Sequence, residues 1–591
     1  MHVVATAGHV DHGKSALVRA LTGIEPDRWE QERRRGMTID LGYAWTTLDS
    51  GEELAFVDVP GHQRFIGNML AGLGPAPAVV FVVAADEGWR RQSTEHLAAV
   101  DALGIEHGLL VVTRSDLADP AAALDDAGER LAGSSLGRCE AVAVSARTGD
   151  GIPLLRAALD RLVARLPRPA TDGRLRLWVD RAFTIRGSGT VVTGTLGEGT
   201  IRVGDHLEVA GRSVTVRGLQ SLERARDTVP AVARVAVNLR GIGTDEVARG
   251  DVLLSPGAWV PTATVDVRLG MPQSALPTHA MVHVGTVAVE ARVRPLSGDA
   301  ARLTLREPLP LRAGDRAILR DPGAQRVLSG VLVVDTDPPV LRRRGAAARR
   351  GEELGTYTGG PDLVHEVDRR GAMRVAEARG LGIDVDEKLS ATSQFIGRHG
   401  DWLVNRTTWA GWGEALVGAL RRRAADDPLD PTLTLEAARA VAGIPDRDLV
   451  AEVATSAGAE VLAGRVGLVG VTPSLGDRAE AGLQAIEARL AVEPFAAPEA
   501  RELEAAGLGP REIAAAARLG RVLRLPDDVL LLPKAPALAM RTLAALPQPF
   551  TTSDARQALG STRRVVIPLL EHLDARGWTR RLDGSHREVR R

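Results

Sequence analysis

At 591 residues the chain is too long for one hydrophobic core, and its length suits about four domains. With 44% hydrophobic and 25% charged residues it reads as folded throughout, and a formal net charge of −1 excludes a globally basic nucleic-acid binder, so any such site must be a local basic face. Cys139 is the single cysteine, which excludes a disulfide framework or a cysteine metal cluster within the chain.

The apolar run 2–7 leads into Gly8-His9-Val10-Asp11-His12-Gly13-Lys14-Ser15, which matches G-x-x-x-x-G-K-[ST], and a helical pattern follows from Ala16. Strand, glycine-rich loop and helix in that order are the context of a phosphate-binding loop. Its backbone N–H groups close around phosphate oxygens, Lys14 bridges the terminal phosphates as a point charge, and Ser15 offers its hydroxyl to Mg2+. Lys14, Lys388 and Lys534 are the only lysines, so a compact ammonium has survived where a planar guanidinium would crowd a phosphate cradle. No charged-then-apolar leader precedes the first strand, and the apolar stretch 76–85 is too short for a membrane span, so a cytoplasmic protein with no membrane partner is expected. That stretch reads as a buried parallel strand.

The charged segment 28–40 suits a mobile polar loop, as in switches that bring a threonine to Mg2+ and the γ-phosphate; Thr38 is the candidate. An apolar strand then ends in Asp58-Val59-Pro60-Gly61-His62. Asp58 can hold Mg2+ through water, Gly61 can turn its N–H toward a γ-phosphate, and His62 falls where in-line attack needs a side chain that positions water. Two more strands end in Thr113-Arg114-Ser115-Asp116 and in Ser145-Ala146-Arg147. Strand ends converging beyond one edge of a doubly wound sheet point to nucleotide binding with phosphoryl transfer to water.

These five stretches together resemble the motif set of translational GTPases. The resemblance implies GTP and GDP as ligands, Mg2+ held by Ser15, Thr38 and Asp58, and a guanine site at Thr113, Arg114, Asp116, Ser145, Ala146 and Arg147. Asp116 would read guanine N1 and N2. The family's usual Asn-Lys-x-Asp departs here at Thr113 and Arg114, and the lost amide implies a weaker brace and lower guanine affinity, with GTP selectivity kept.

From about Arg174 the pattern changes to short strands between glycine turns, with Gly-Asp pairs at 204–205, 250–251 and 314–315. Two small β-barrels are the economical reading. Asp180-Arg181-Ala182-Phe183-Thr184 through Gly194-Thr195 resembles the second domain of factors that carry aminoacyl-tRNA, above all the selenocysteine-specific elongation factors. By that resemblance Asp180, Arg181 and Arg234 line an aminoacyl pocket. A selenol is ionised at neutral pH whereas serine is neutral, so a cationic pocket favours selenocysteine and rejects serine. On the residues alone, the same arginines could be surface ion-pair partners.

After Asp337-Pro338-Pro339 comes a basic run, 341–350, which reads as a solvated linker or helix face, with RNA contact as the alternative. Beyond it Arg439, Arg501 and Arg556 mark a weak repeat, each early in a short helical pattern followed by a glycine, a second helix and a strand pair. Helix-turn-helix with a wing describes it, and a divergent first copy fits 353–405. Residues 551–591 hold nine arginines against five acidic residues. Arg563, Arg564, Arg580, Arg581 and Arg587, at a helix start and on a wing, form a fork that can grip phosphates of a hairpin; a solvated basic tail is the alternative. This tail resembles that of bacterial selenocysteine-specific elongation factors, which binds the selenocysteine insertion hairpin of mRNA.

The expected fold is multidomain, α/β then all-β then winged-helix: a P-loop GTPase domain (1–172), a barrel with the aminoacyl pocket (173–258), a second barrel (259–338), a basic linker (339–352), tandem winged-helix modules (353–533) and a terminal RNA-binding module (534–591). The resemblance implies a monomeric GTPase, stimulated by the ribosome, that brings selenocysteyl-tRNA to UGA codons marked by an RNA hairpin. Two other readings stay open: a general elongation or initiation GTPase with a protein-binding tail, and a GTP-controlled regulator whose winged helices read duplex DNA.

Overall fold

The computed structural model describes residues 1–26, 38–185, 189–270, 276–323, 326–355 and 362–590. Most of the expected polar loop at 28–40, with Gly36 and Met37, lies outside the described residues, as do Gly187 and Ser188. The chain divides into two compact units, Met1–Ser393 and Gln394–Arg591.

The first unit opens with six strands, β1 (His2–Ala7), β2 (Gly42–Thr47), β3 (Glu53–Asp58), β4 (Ala78–Ala84), β5 (His107–Thr113) and β6 (Glu140–Ala143). They form one sheet in the order β2-β3-β1-β4-β5-β6, parallel except for the antiparallel edge strand β2. Helices α1 (Lys14–Thr22) and α5 (Ile152–Arg165) cover one face; α2 (Ile66–Leu73), α3 (Arg91–Ala102) and α4 (Ala121–Ala132) cover the other. Central β4 is buried at every position, as a strand covered on both sides must be. The loops that follow β1, β3, β5 and β6 leave the same edge, which is where such sheets bind ligands.

A first barrel follows, built mainly from β7 (Arg176–Ile185), β8 (Gly189–Leu196), β10 (His206–Val209), β11 (Arg212–Ser221), β14 (Ala233–Arg240) and β15 (Val252–Leu254). The short strands β9 (Thr200–Arg202), β12 (Arg224–Arg226) and β13 (Thr228–Pro230) flank it. The order β10-β15-β7-β8-β14-β11 closes through a β10–β11 pairing. Along β14 the period-two pattern sends Ala233, Val235, Val237 and Leu239 into the core, so Arg234 must point off the barrel. On β7 the register shifts between Val179 and Arg181, a bulge that re-aims Asp180 and Arg181.

The second barrel is closed in the order β16-β19-β18-β17-β20-β21, with β16 (Thr262–Leu269), β17 (His279–Val284), β18 (Val287–Pro295), β19 (Ala300–Leu309), β20 (Arg316–Arg320) and β21 (Val327–Asp335). The basic run after it departs from a solvated connection. Residues Ala346–Gly355 form helix α6, and Arg350 is only 2% exposed. Its Nε donates to Asp266 Oδ2 at 2.8 Å and its Nη2 pairs with Asp335. Arg302 Nε donates to the other oxygen of Asp266 at 2.7 Å. A run of arginines looks solvated in sequence, but here one of them finishes a buried ion cluster begun on β16, β19 and β21. Helices Leu363–Arg370, Val375–Gly380 and Val385–Thr392 end this unit.

The second unit holds three copies of a three-helix pattern followed by paired strands. The helices are Arg406–Asp426, Leu435–Ala442 and Val450–Ser456, then Asp477–Val492, Ala500–Ala505 and Pro510–Arg518, then Ala535–Ala544, Thr552–Ala558 and Arg563–Ala575. Arg439, Arg501 and Arg556 each fall on the second helix of a copy, which has one helix more at its start than the two-helix pattern read from sequence. No helix among the described residues is long and apolar enough to cross a membrane.

Removing the shared carboxylate of the second barrel should be costly, because two buried guanidiniums lose their common partner. Asp266→Ala is expected to destabilise that barrel by about 3–5 kcal/mol. Hydrogen exchange of the strands from 262 to 335 measures it, and unchanged protection would contradict the assignment.

Candidate functional site

The phosphate loop is held open by close backbone packing. A Cβ on Gly8, whose φ is 134°, would stand 2.1 Å from the Val82 carbonyl oxygen, so only glycine fits. Lys14 Nζ donates to the carbonyls of Gly8 at 3.1 Å and His9 at 2.8 Å, which points the ammonium into the loop. Gly61 comes so near that a Cβ there would lie 2.5 Å from Val10 N and 2.6 Å from Lys14 Nζ. The motif after β3 therefore meets the loop after β1 at the Lys14 ammonium.

Three oxygens predicted to serve one cation converge beside it. Ser15 Oγ donates to Asp58 Oδ2 at 2.6 Å and lies 3.0 Å from Thr38 Oγ1, and Thr6 Oγ1 donates to Asp58 Oδ1 at 2.7 Å. Asp58 is fully buried; burial raises its pKa, opposed by Lys14 and by the Ser15 and Thr6 hydroxyls. An all-oxygen set around a buried carboxylate suits a hard divalent cation. Nearby, His62 Nδ1 accepts from the Arg64 N–H at 3.1 Å. The neutral ring then carries its proton on Nε2 and offers a donor, which suits orienting a water more than deprotonating it.

Asp116 accepts from Ser145 Oγ at 2.6 Å and from Arg147 Nε at 3.0 Å. The Ser145 bond foremost, with Arg147, lowers its pKa, so the side chain stays an anionic acceptor at neutral pH. Arg114 pairs with Asp86 and Glu87 at 2.9 Å each and donates to the Asp11 carbonyl, tying β5 to the rim of the phosphate loop.

Two α3 side chains that sequence reasoning missed hold the loop from beneath. Gln92 Oε1 accepts from Val10 N and His96 Nδ1 from Gly8 N, both at 3.1 Å. His96 also bonds the Gly61 backbone, and burial lowers its pKa to about 3, so it stays neutral. With Ser93, Ala99 and Val100 it lies on the buried face of α3, and a histidine at that spacing reads as core. His12, equally buried, is pushed down to about 4 by burial and adds no charge to the loop.

A cavity of about 270 Å³ lies between β2 and β3 of the first domain and the first barrel. Arg181, Phe183, Thr193 and Arg234 line it from the barrel and Tyr43 from β2. Arg234 pairs with Asp180 through both of its Nη atoms and lies 3.9 Å above the Tyr43 ring. Burial works against its charge, but Asp180 more than restores it and its pKa is raised. Arg181 donates to the Leu41 carbonyl, lies 3.6 Å from Asp40 and 4.7 Å from the centre of the Tyr43 ring. Of the three residues singled out in sequence, Arg181 and Arg234 line the cavity while Asp180 stands behind it as the partner of Arg234; Tyr43 lines it unforeseen, and Asp40 contacts Arg181 from outside it.

The basic fork of the tail separates into two kinds of arginine. Arg563, Arg580 and Arg581 are exposed, although Arg580 reaches Glu588 at 2.7 Å. Arg564 is exposed too and donates to the Pro498 carbonyl at 2.9 Å. Arg587 corrects the expectation. It is 5% exposed, donates to Asp574 at 2.9 Å and to Thr552, and locks the wing onto the last two helices.

Residues 1–165 match the elongation factor Tu GTP-binding domain family and 189–254 match elongation factor Tu domain 2. Residues 264–340 match the β-barrel domain of selenocysteine-specific elongation factor, and 541–587 the winged helix of elongation factor SelB. The selenocysteine-specific elongation factor of Desulfomicrobium baculatum is 36% identical over 67% of this chain and 66% of its own length. That of Escherichia coli K12 is 38% identical over 58% and 56%. The matched region thus spans between half and two thirds of these relatives. A crystal structure of bacterial selenocysteine-specific elongation factor EF-Sec superposes over 100% of both chains, with a TM-score of 0.78 and 25% identity. The chain belongs to the selenocysteine-specific elongation factors.

For a selenocysteine-specific elongation factor the departure at Thr113 now has a physical account. Thr113 Oγ1 donates to the His12 carbonyl at 2.7 Å, so a hydroxyl supplies the brace between β5 and the phosphate loop. The expected loss of that brace does not occur. Thr113→Val keeps the shape and removes the donor, leaving a buried carbonyl short of a partner at a cost of about 1 kcal/mol. GDP release, followed with a fluorescent analogue, should quicken about fivefold, with Thr113→Ser near the parent value.

Proposed function

We propose that the protein carries selenocysteyl-tRNA to ribosomes at UGA codons marked by an mRNA hairpin, under the control of GTP. The observation that carries this reading is the cavity lined by Arg181 and Arg234, floored by Tyr43 and set on the bulge at Asp180. Asp180 pairs closely with Arg234, whereas Arg181 has only a looser contact of 3.6 Å to Asp40, so Arg181 is the guanidinium better placed to receive an anion. A selenolate entering beside Arg181 finds a counter-charge. A serine hydroxyl gains only a neutral contact while still desolvating the arginine.

The first domain supplies the switch. Gly8 to Ser15 and Gly61 would take the phosphates of GTP, Asp116 with Ser145 and Arg147 the guanine edge, and Ser15, Thr38 and Asp58 would hold Mg2+. That ion screens the charge on the nucleotide's phosphates. His62, with Nδ1 accepting from the Arg64 N–H, would offer Nε2–H to a water attacking the γ-phosphate. At the other end Arg563, Arg580 and Arg581 are the arginines suited to an RNA hairpin, and a tether to the message raises local concentration at the right codon without stronger contacts to tRNA.

Retention of selenocysteyl-tRNA and seryl-tRNA by the GTP-bound protein tests the reading. Selenocysteyl-tRNA should be held preferentially, and Arg181→Ala should weaken it about 10- to 100-fold with little effect on seryl-tRNA. Equal retention of the two would refute the proposed cargo. Arg181 is the cleaner probe, because removing Arg234 strands Asp180, itself 5% exposed. His62→Ala should slow ribosome-stimulated hydrolysis about a thousandfold with GTP affinity unchanged, measured by single-turnover phosphate release.

A further inference from the structure

The walls of the cavity are tied to the residues that flank the γ-phosphate position. Thr38 lies 3.0 Å from Ser15, and two residues on Asp40 Oδ1 accepts from Arg249 Nη1 at 3.1 Å while its Oδ2 lies 3.6 Å from Arg181 Nη2. Between them Ile39 gives its carbonyl to Asn68 Nδ2 at 2.9 Å. Asn68 lies on α2, the helix that follows the turn after His62, and its Oδ1 accepts from the same Arg249 nitrogen at 3.1 Å. Arg249, in the loop before β15, therefore grips both segments that a γ-phosphate would order. The next residues along the same stretch complete the link, since the Leu41 carbonyl accepts from Arg181 and Tyr43 lies under Arg181 and Arg234.

From this geometry we propose that Asp40 is the positioning residue that couples nucleotide to cargo, holding Arg181 in the cavity when Thr38 is drawn to the phosphate site and releasing it when Thr38 leaves. Neither Asp40 nor Arg249 lines the cavity. They act on it through Arg181. Three arginines, 181, 234 and 249, meet Asp40 and Asp180, and Glu223 also lines the cavity, so what the cavity offers an anionic side chain depends on where Arg181 is held. Withdrawing Asp40 would leave Arg181 with only the Leu41 carbonyl and the Tyr43 ring, and so less firmly set in the cavity. The cavity is then whole only in the GTP state, and by linkage the cargo must strengthen GTP binding by the factor by which GTP strengthens cargo binding.

The inference rests on the proposed function, and its test separates the two. Release of a fluorescent GTP analogue is measured with and without saturating selenocysteyl-tRNA in the parent, Asp40→Asn and Asp40→Glu. In the parent the cargo should slow release by about 5- to 150-fold, the usual range of such coupling. In Asp40→Asn, an isosteric change, that factor should fall below about threefold while GTP release without tRNA stays within about twofold of the parent. Asp40→Glu should recover part of it. A factor in Asp40→Asn equal to the parent's, or one that falls together with GTP binding alone, overturns the role of Asp40. A parent that couples seryl-tRNA as strongly as selenocysteyl-tRNA, yet loses coupling in Asp40→Asn, overturns the cargo and keeps Asp40. A parent showing no coupling to either tRNA overturns the inference outright.

Discussion

Asp58 is the point on which the first unit turns. Its carboxylate is fully buried at the end of β3, with one oxygen held from β1 by Thr6 and the other from α1 by Ser15. A carboxylate removed from water is unfavourable unless charge and hydrogen bonds compensate it, and Lys14 and the two hydroxyls offset only part of its burial. Such a group makes sense as part of a cation site, because a divalent ion would supply the charge that the protein withholds. The β1–β3 pairing, the exit of the phosphate loop and the approach of Gly61 bring these three elements to one carboxylate.

Around that point the fold uses glycine for proximity and neutral side chains for rigidity. Gly8 and Gly61 let backbones approach where a methyl group would collide. His96 and Gln92 then take up N–H groups of the loop without adding charge that would compete with Lys14 for phosphate. The phosphate loop, the strand-end aspartate and the glycine after it were legible in sequence because their spacing is local and their chemistry narrow. His96 was not, because its role depends on a contact 88 residues away and its spacing is that of an ordinary core position. Thr113 was half legible: the missing amide was plain, but the hydroxyl's reach to His12 O depends on how β5 and the loop lie side by side.

The barrels show how an ion pair can be both structure and specificity. In the second barrel Asp266, Asp335, Arg302 and Arg350 are buried together as one ion cluster. In the first, Asp180 and Arg234 make a similar pair, but a bulge and the outward phase of β14 set it against a cavity instead of a core. Sequence could place arginines there only by resemblance, since nothing local separates a pocket arginine from a buried structural one. The run 341–350 makes the same point in reverse: it looked solvated, and Arg350 became the most enclosed arginine of the second barrel's ion cluster. Burial, which decides between the two roles, is a property of the partner element and not of the arginine's neighbours in the chain.

The same principle divides the tail. The repeat of Arg439, Arg501 and Arg556 could be read from spacing because a helical module recurs whenever its hydrophobic face must be buried by its own hairpin. Which arginines remain for a partner could not, because burial depends on what the neighbouring helices bring to the wing, here Asp574 and Thr552 at Arg587. On the last strand Arg587 faces inward to Asp574, while Arg580 and Arg581 on the strand paired with it are exposed. A module that spends one arginine on fixing its own wing gains a rigid edge from which the others can work. For a phosphate backbone, whose charges are regularly spaced, a rigid set of fewer cations binds more selectively than a larger mobile one, since less freedom is lost on contact.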